Sequence, residues 1–182
     1  MAEPTDRVYQ QVLVVRCQLG DPRAVEELVA CFQPRLRAFL YKMMAGRRSV
    51  DDLAQEVWMD VLRDLPRLAD PGAFVPWFYR IARNRVFRLL RRREPAPSIN
   101  DLAGDVADAA EEPADFTAED AEAVHAALDR LNAEHREVLL LRFMEDMSYE
   151  QIAQAVGRPV GTVRSRIYNA KRELRVMMER QP

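Results

Sequence analysis

The chain has 182 residues, an apolar fraction of 48% and a net charge of −2, so it can bury the core of one ordinary domain or of two small ones. Its only two cysteines, Cys17 and Cys31, lack the spacing of a zinc site or a disulfide framework, and we interpret both as buried small apolar residues. No secretion signal or apolar run of the about 20 residues that span a bilayer is found. We therefore predict a reduced, cytoplasmic protein without membrane insertion.

The small net charge conceals an uneven distribution of charge along the chain. Residues 1–94 contain 17 Arg and Lys against 12 Asp and Glu, residues 95–125 contain 9 acidic and no basic residues, and residues 126–182 contain 10 basic against 8 acidic residues. Two mildly basic blocks around an acidic segment predict two domains and a tether. We place the domains at 1–94 and 121–182 and the acidic linker at 95–120.

Apolar residues recur at spacings of three and four, and strand-like alternation is scarce, so we predict an all-α protein. The predicted helices cover residues 7–19, 22–45, 50–65, 71–92, 119–131, 133–145, 149–156 and 160–178. Between the fourth and fifth helices, the segment 94–120 contains three prolines and few large apolar residues. This composition is typical of a flexible linker.

The predicted helix 50–65 has one apolar and one polar face. The apolar stripe that we expect to be buried consists of Leu53, Val57, Val61 and Leu65. The outward face carries Asp52, Gln55, Glu56, Met59 and Asp60. Asp51 and Asp52 also lie where carboxylates interact favourably with the positive end of a helix, with Ser49 as its cap. The acidic cluster can serve the helix, a partner or both.

The segment from Trp77 to Arg93 predicts another two-sided helix. Its apolar side consists of Phe78, Tyr79, Ala82, Val86, Leu89 and Leu90. Its other side consists of Asn84, Arg85, Arg88, Arg91 and Arg92. Arginines neutralise phosphates and aromatic rings stack on unpaired bases, so this combination suits melted DNA. The alternatives are that Trp77, Phe78 and Tyr79 pack in the core and that the arginines form a solvated face.

Residues 148–178 predict a helix, a tight turn and a second helix. Ser148 and Gln151 have the spacing of a capping box, Gly157 ends the first helix, and Pro159 suits the start of the second. The face of the second helix that we expect to be buried carries Val163, Ile167, Ala170, Leu174 and Met177.

The opposite face of this second helix carries side chains that can contact DNA. They are Ser165, Tyr168, Asn169 and Arg172, flanked by Arg164 and, nearer the core edge, Arg166. A helix fits the DNA major groove, and such side chains can contact base edges or phosphates there. The alternative is a solvated polar face.

The sequence lacks the common catalytic motifs. His125 and His135 are its only histidines and form no HExxH motif, and neither a phosphate-binding glycine loop nor a nucleophile elbow is present. We interpret His135 as a surface or capping residue. We predict no enzyme activity, no metal site and no cofactor.

Three segments together resemble a known family. "HREVLLLRFMEDMSYEQIAQAVGRPVGTVRSRIYNAKREL" (135–174) closely resembles the fourth conserved region of bacterial RNA polymerase sigma factors of the sigma-70 family, in the small extracytoplasmic-function (ECF) class. "DDLAQEVWMDVLRDL" (51–65) and "FVPWFYRIARNRVFRLLRRR" (74–93) resemble parts of the second conserved region. The resemblance spans most of residues 22–178 in the family's order.

The resemblance implies a transcription initiation factor with specific contact residues. Those for the clamp of core RNA polymerase are Asp52, Gln55 and Glu56. Those for the minus-ten element of promoter DNA are Trp77, Tyr79, Asn84, Arg85, Arg88, Arg91 and Arg92. Those for the minus-thirty-five element are Thr162, Arg164, Ser165, Arg166, Tyr168, Asn169, Lys171 and Arg172. Because Asn169 departs from the basic residue often found there, family promoter sequences should not be carried over.

The resemblance also implies further partners. The C-terminal domain would bind the polymerase flap, an anti-sigma factor would hold the protein inactive, and the acidic linker would lie along the path of the nascent RNA. Two other functions stay open from the residues alone: a helix-turn-helix repressor or activator that never binds polymerase, and an interaction protein that keeps the fold as a decoy. A pull-down with core polymerase followed by run-off transcription separates the three.

Overall fold

A computed structural model of the chain describes residues 4–44, 50–93 and 127–179. These ranges contain seven α-helices and no strand, which confirms the all-α prediction. The helices are α1 (Pro4–Gln18), α2 (Pro22–Met43), α3 (Val50–Asp64), α4 (Phe74–Arg93), α5 (Ala133–Phe143), α6 (Tyr149–Val156) and α7 (Val160–Glu179). The described residues divide into two compact units, the first holding α1 to α4 and the second holding α5, α7 and the start of α6.

The predicted helix 71–92 begins later than expected. Two short 3-10 turns, Leu65–Arg67 and Pro71–Ala73, follow α3, and α4 starts only at Phe74. The Asp70 carboxylate accepts a hydrogen bond of 2.8 Å from the backbone N–H of Gly72, which stabilises this local turn instead of a first helical turn. The Gln18 side chain donates to the carbonyls of Leu65 and Leu68, at 3.1 and 2.8 Å, and so ties the connection to the end of α1.

Aromatic side chains form the centre of the first unit. The Phe32 ring lies 5.1 Å from Phe74 and 5.3 Å from Phe78, centroid to centroid, and Trp58 lies 5.3 Å from Phe78. These residues come from α2, α3 and α4, so the cluster joins three helices around one core. Edge-on and tilted ring pairs at such distances contribute about 0.5 to 1.5 kcal/mol each beyond simple burial. The cluster therefore fixes how the outer faces of α3 and α4 lie beside each other.

In the second unit, each cap predicted for the helix-turn-helix is present. Ser148 and Gln151 form a reciprocal capping box at the start of α6, with distances of 3.2 and 3.0 Å. Gly157 follows α6 with φ of 67°, a left-handed conformation that glycine adopts without the strain of a Cβ. Val163, Ile167, Ala170 and Leu174 of α7 are buried, as predicted, whereas Met177 is half-buried.

Some predictions fall outside the described residues. The acidic linker at 95–120, most of the predicted helix 119–131 and the cap Ser49 lie there, so the two boundaries between the domains and the linker stay predictions. One cysteine prediction is wrong: Cys17 is buried but Cys31 is exposed, because Cys31 lies outside the buried stripe of α2 that carries Leu28, Phe32 and Leu36. Within the described ranges, no helix is long and apolar enough to cross a membrane.

Candidate functional site

The outer face of α3 presents the residues predicted to bind polymerase. Asp52, Gln55 and Glu56 are exposed, and the apolar side chain of Met59 is 59% exposed beside them. The opposite stripe of Leu53, Val57 and Val61 is buried, so packing holds the exposed face outward. An acidic and amide surface with an apolar centre can bind a basic partner surface that also has an apolar part.

An ion-pair cluster joins this face to α4. The guanidinium of Arg85 donates to Asp60 Oδ2 at 2.6 Å and to Glu56 Oε2 at 2.8 Å. Arg63 lies 2.9 Å from the other carboxylate oxygen of Asp60. The Arg85 and Asp60 side chains are only 24% and 14% exposed. A residue predicted to bind DNA and one predicted to bind polymerase are therefore bonded to each other.

The basic face of α4 is only partly as predicted. Asn84, Arg88, Arg91 and Arg92 are exposed, and Trp77 is half-buried. Tyr79 is fully buried against Phe39 and Phe78, at 5.1 and 5.3 Å between ring centroids. Its ring packs in the core, which was the alternative considered for it, and it is not placed to stack on a displaced base.

The exposed part of α4 includes a ring and a cation that the sequence did not single out. The Arg83 guanidinium lies 4.8 Å from the centroid of the half-buried Phe87 ring. Arg91 donates through Nε to the Phe87 carbonyl at 3.3 Å. The helical projection could have placed Phe87 with the arginines. Phe87 was not identified because the sequence analysis assigned it to neither the apolar side nor the basic side of this helix.

The eight residues predicted on α7 differ in accessibility. Arg164 and Arg172 are exposed, and Thr162, Ser165, Tyr168 and Asn169 are half-buried. The Ser165 hydroxyl donates to the Thr162 carbonyl at 3.0 Å. Arg166 and Lys171 are buried, with 8% and 4% of their surface exposed. The accessible polar face thus runs from Thr162 to Arg172 without these two cations.

Contacts between α5 and α7 explain why the two cations are buried. Arg166 pairs with Glu134 at 3.0 Å, and the Lys171 ammonium lies 5.1 Å from the Phe143 ring centroid. His135 Nδ1 contacts Glu173 at 2.7 Å, while its backbone N–H donates to the cap residue Asn132. His135 is thus part of the α5 to α7 packing as well as of the first turn of α5. Spacing along one helix does not reveal these partners.

The start of α6 lies close to the exposed Arg164. The ring centroid of Tyr149 is 5.8 Å from the Arg164 guanidinium and 5.5 Å from that of Arg142. Hydrogen bonds from its own backbone N–H and from Ser148 lower the pKa of the Glu150 carboxyl, and the positive charge of Arg164 lowers this pKa further. Neither Tyr149 nor Glu150 was identified from the sequence as a functional residue.

Among the residues described, no group of three or more His, Cys, Asp or Glu side chains could hold a metal ion. The candidate functional residues lie on three surfaces, which we name by their helices: the acidic α3 face and the basic α4 face in the first unit, and the polar α7 face in the second. Each is the outer side of an amphipathic helix whose inner side is packed in a core.

Comparisons with known proteins agree with this arrangement. Residues 28–95 match Sigma-70 region 2, and residues 121–174 match Sigma-70, region 4. The chain is 33% identical to the RNA polymerase sigma-H factor of Pseudomonas aeruginosa, over 88% of this chain and 89% of that protein. It is 30% identical to the ECF RNA polymerase sigma-E factor of Haemophilus influenzae, over 91% of this chain and 93% of that protein.

The fold is similar to that of a solved sigma factor. The structure of RpoE from Bartonella quintana, determined in complex with the anti-sigma factor NepR, has a TM-score of 0.63 and 25% identity to this chain. The alignment covers 86% of this chain and 98% of that one. With both conserved regions matched in order and two full-length relatives at 30% identity or more, the chain belongs to the ECF class of the sigma-70 family, the non-enzymatic initiation factors that direct RNA polymerase to promoters.

Proposed function

We propose that the three surfaces divide the work of initiation. The acidic α3 face binds the clamp of core RNA polymerase through Asp52, Gln55 and Glu56. The basic α4 face binds the minus-ten element, and the polar α7 face binds the minus-thirty-five element. The observation that carries this proposal is that all three faces are accessible while the opposite sides of the same helices are buried.

The accessible residues define the proposed DNA contacts more narrowly than the sequence did. On α4 we propose Asn84, Arg88, Arg91 and Arg92, with the half-buried Trp77 as the ring available to unpaired bases. On α7 we propose Thr162, Arg164, Ser165, Tyr168, Asn169 and Arg172. Arg85, Arg166 and Lys171 have protein partners, and Tyr79 is buried, so we assign these four to holding the surfaces in place.

Photocrosslinking in an initiation complex tests the assignment. A crosslinking amino acid is placed singly at Gln55, Arg88 or Ser165 of the full chain bound to core polymerase and a promoter. We expect Gln55 to label the largest polymerase subunit, Arg88 to label DNA at the minus-ten element and Ser165 to label DNA at the minus-thirty-five element. The same probe at Glu26, exposed on α2, is the control. Labelling of the same target from all three positions would contradict the division.

We also propose that an anti-sigma factor and the polymerase flap bind this chain and that it acts in the cytoplasm, where polymerase lies. Support comes from the family and from the similar RpoE structure, which was solved with an anti-sigma factor. A candidate regulator must bind the purified chain and also reduce run-off transcription in proportion to its concentration. A binder that leaves transcription unchanged at saturation is not an anti-sigma factor.

A further inference from the structure

Tyr149 lies at a point where the backbone is well fixed. It is the first residue of α6, directly after the cap Ser148, and the capping box with Gln151 holds both ends of this turn. The backbone just before this cap is fixed too, because the Met147 N–H donates a hydrogen bond to the Leu141 carbonyl at 3.1 Å. The Tyr149 side chain is half-buried, so its ring starts from a rigid position with one part accessible.

A second cation supports the ring from the direction of α5. The Arg142 guanidinium lies 5.5 Å from the ring centroid, and its Nη1 donates to the Met147 carbonyl at 3.0 Å. Arg142 is therefore not a freely rotating side chain. Its contact with the ring restricts the orientations that Tyr149 can adopt.

Arg164 is the exposed residue that this ring meets. It lies one turn into α7, and its guanidinium is 5.8 Å from the ring centroid. A long exposed arginine loses up to about 2 kcal/mol of rotamer entropy when a contact fixes it. A ring that already restricts the guanidinium before DNA arrives reduces that loss.

We propose that Tyr149 is a positioning residue for Arg164. The Tyr149 ring holds the Arg164 guanidinium in the orientation that contacts the minus-thirty-five element. The inference rests on the proposed function of the polar α7 face. It adds a residue of α6 that determines specificity by holding Arg164 rather than through a base contact of its own. The ring face is what matters, so the hydroxyl is dispensable.

The test uses the full chain in complex with core polymerase and a library of promoter duplexes randomised in the upstream element. Tyr149→Leu should weaken the preference for the selected sequence about 2- to 5-fold, the range for a cation–π contact at an exposed site. Tyr149→Phe should retain the preference. Pentafluorophenylalanine at position 149 keeps the ring shape but removes the negative face, so it should behave like Leu. Because phenylalanine and pentafluorophenylalanine at position 149 pack alike, comparing them tests the role of the ring face even if Tyr149→Leu folds poorly.

Two further variants distinguish this inference from the function on which it rests. Arg164→Ala should change the selected sequence, and adding Tyr149→Leu to it should have no further effect. If Arg164→Ala leaves the selected sequence unchanged, the proposed role of Arg164 is wrong. If Arg164→Ala changes it but Tyr149→Leu or the fluorinated ring does not, or if the two effects add, Arg164 binds DNA without help from Tyr149 and the inference is overturned.

Tyr41→Leu is the matched control, since it makes the same substitution at an exposed tyrosine of the first unit. It should leave the selected upstream sequence unchanged. The salt dependence of binding should also stay the same in Tyr149→Leu, because the number of phosphate contacts is unaltered. A parallel loss of preference in Tyr41→Leu would show that the readout responds to any loss of a tyrosine and would overturn the inference.

Discussion

Arg85 of α4 donates hydrogen bonds to Glu56 and Asp60 of α3, so the two surfaces proposed for polymerase and for DNA share one ion-pair cluster. The three side chains lie within 2.8 Å of their partners, and Arg85 and Asp60 are largely shielded from solvent. Such pairs depend on both partners, since loss of one leaves a poorly solvated charge. The cluster therefore sets the spacing between the acidic α3 face and the basic α4 face.

Replacing Arg85 should destabilise the first unit. Arg85→Ala leaves Glu56 and Asp60 without this partner, although Arg63 still contacts Asp60. We expect a loss of about 1.5 to 3 kcal/mol in the free energy of unfolding, the range for hydrogen bonds to charged groups. Urea unfolding followed by circular dichroism measures it. Arg88→Ala, which removes an exposed arginine from the same helix, should change stability little. Equal effects of the two substitutions would show that the cluster is not a stabilising element.

The polymerase contact can be tested apart from stability. Gln55→Ala together with Glu56→Ala should weaken binding to core polymerase, because both side chains point away from the buried stripe of α3. Glu56 also accepts a hydrogen bond from Arg85, so its replacement changes stability as well as the surface. The single variant Gln55→Ala is therefore the cleaner probe of polymerase binding. We expect it to raise the Kd about 5- to 30-fold, or about 1 to 2 kcal/mol.

A fluorescence titration with core polymerase gives these dissociation constants. Glu26→Ala on α2 is the control for removing an exposed side chain from the same unit. Wild-type circular dichroism combined with wild-type affinity for Gln55→Ala would mean that polymerase binds elsewhere.

The two neighbouring cations of α7 should behave differently. The family resemblance implies that Lys171 contacts the minus-thirty-five element. Lys171 is instead buried against Phe143, so Lys171→Ala should lower the melting temperature of the chain. The exposed Arg172 is the better phosphate ligand, and Arg172→Ala should reduce the slope of log K against log salt by about 0.9, one counterion.

Binding to promoter DNA over a series of salt concentrations, with thermal unfolding of each variant, provides both measurements. The reverse pattern, with an unchanged slope for Arg172→Ala and a shallower slope for a fully stable Lys171→Ala, would restore the original assignment of Lys171.

The sequence was sufficient to predict the helices but not the side-chain contacts between them. Buried residues such as Val163 and Ile167 repeat with the helical period, and caps such as Ser148 have local signatures, so both can be identified within one helix. Whether a cation is exposed depends on what another helix places beside it. Arg166 meets Glu134 across 32 positions of the chain, and the sequence carries no period or spacing that indicates such a contact.

The aromatic residues show the same limit. Projection of α4 grouped Phe78 and Tyr79 on one side, which is correct, but it could not separate a ring that reaches solvent from one that meets Phe39 of α2. Tyr149 was not identified at all, because its role depends on Arg142 and Arg164 from α5 and α7. The family resemblance supplied the proposed roles of the three surfaces, and the structure supplied the side-chain contacts within each unit that hold them in place.

The last prediction concerns the start of α2, where Asp21 is the cap. Its carboxylate accepts from the backbone N–H groups of Arg23 and Ala24, at 3.0 and 3.4 Å, and from Arg16 at 2.8 and 2.9 Å. The hydrogen bonds from Arg16, followed by those of the backbone, lower the pKa of Asp21. When the pKa of a carboxyl group is lower in the folded than in the unfolded state, the group stabilises the folded state at pH values above its pKa in the unfolded state. This contribution is lost as the pH falls through the pKa of the group in the folded state.

Asp21→Asn keeps an acceptor oxygen for the cap but removes the charge that Arg16 contacts. Wild type should therefore melt at a higher temperature than Asp21→Asn at about pH 7, and the difference should shrink as the pH falls below the unfolded value of about 3.9. Thermal unfolding of both proteins across this range measures it. Glu26→Gln, which removes an exposed carboxylate from the same helix, controls for the change in net charge. A difference between wild type and Asp21→Asn that stays constant down to about pH 3 would mean that folding does not lower the pKa of Asp21 and that the charge of its ion pair with Arg16 adds no stability.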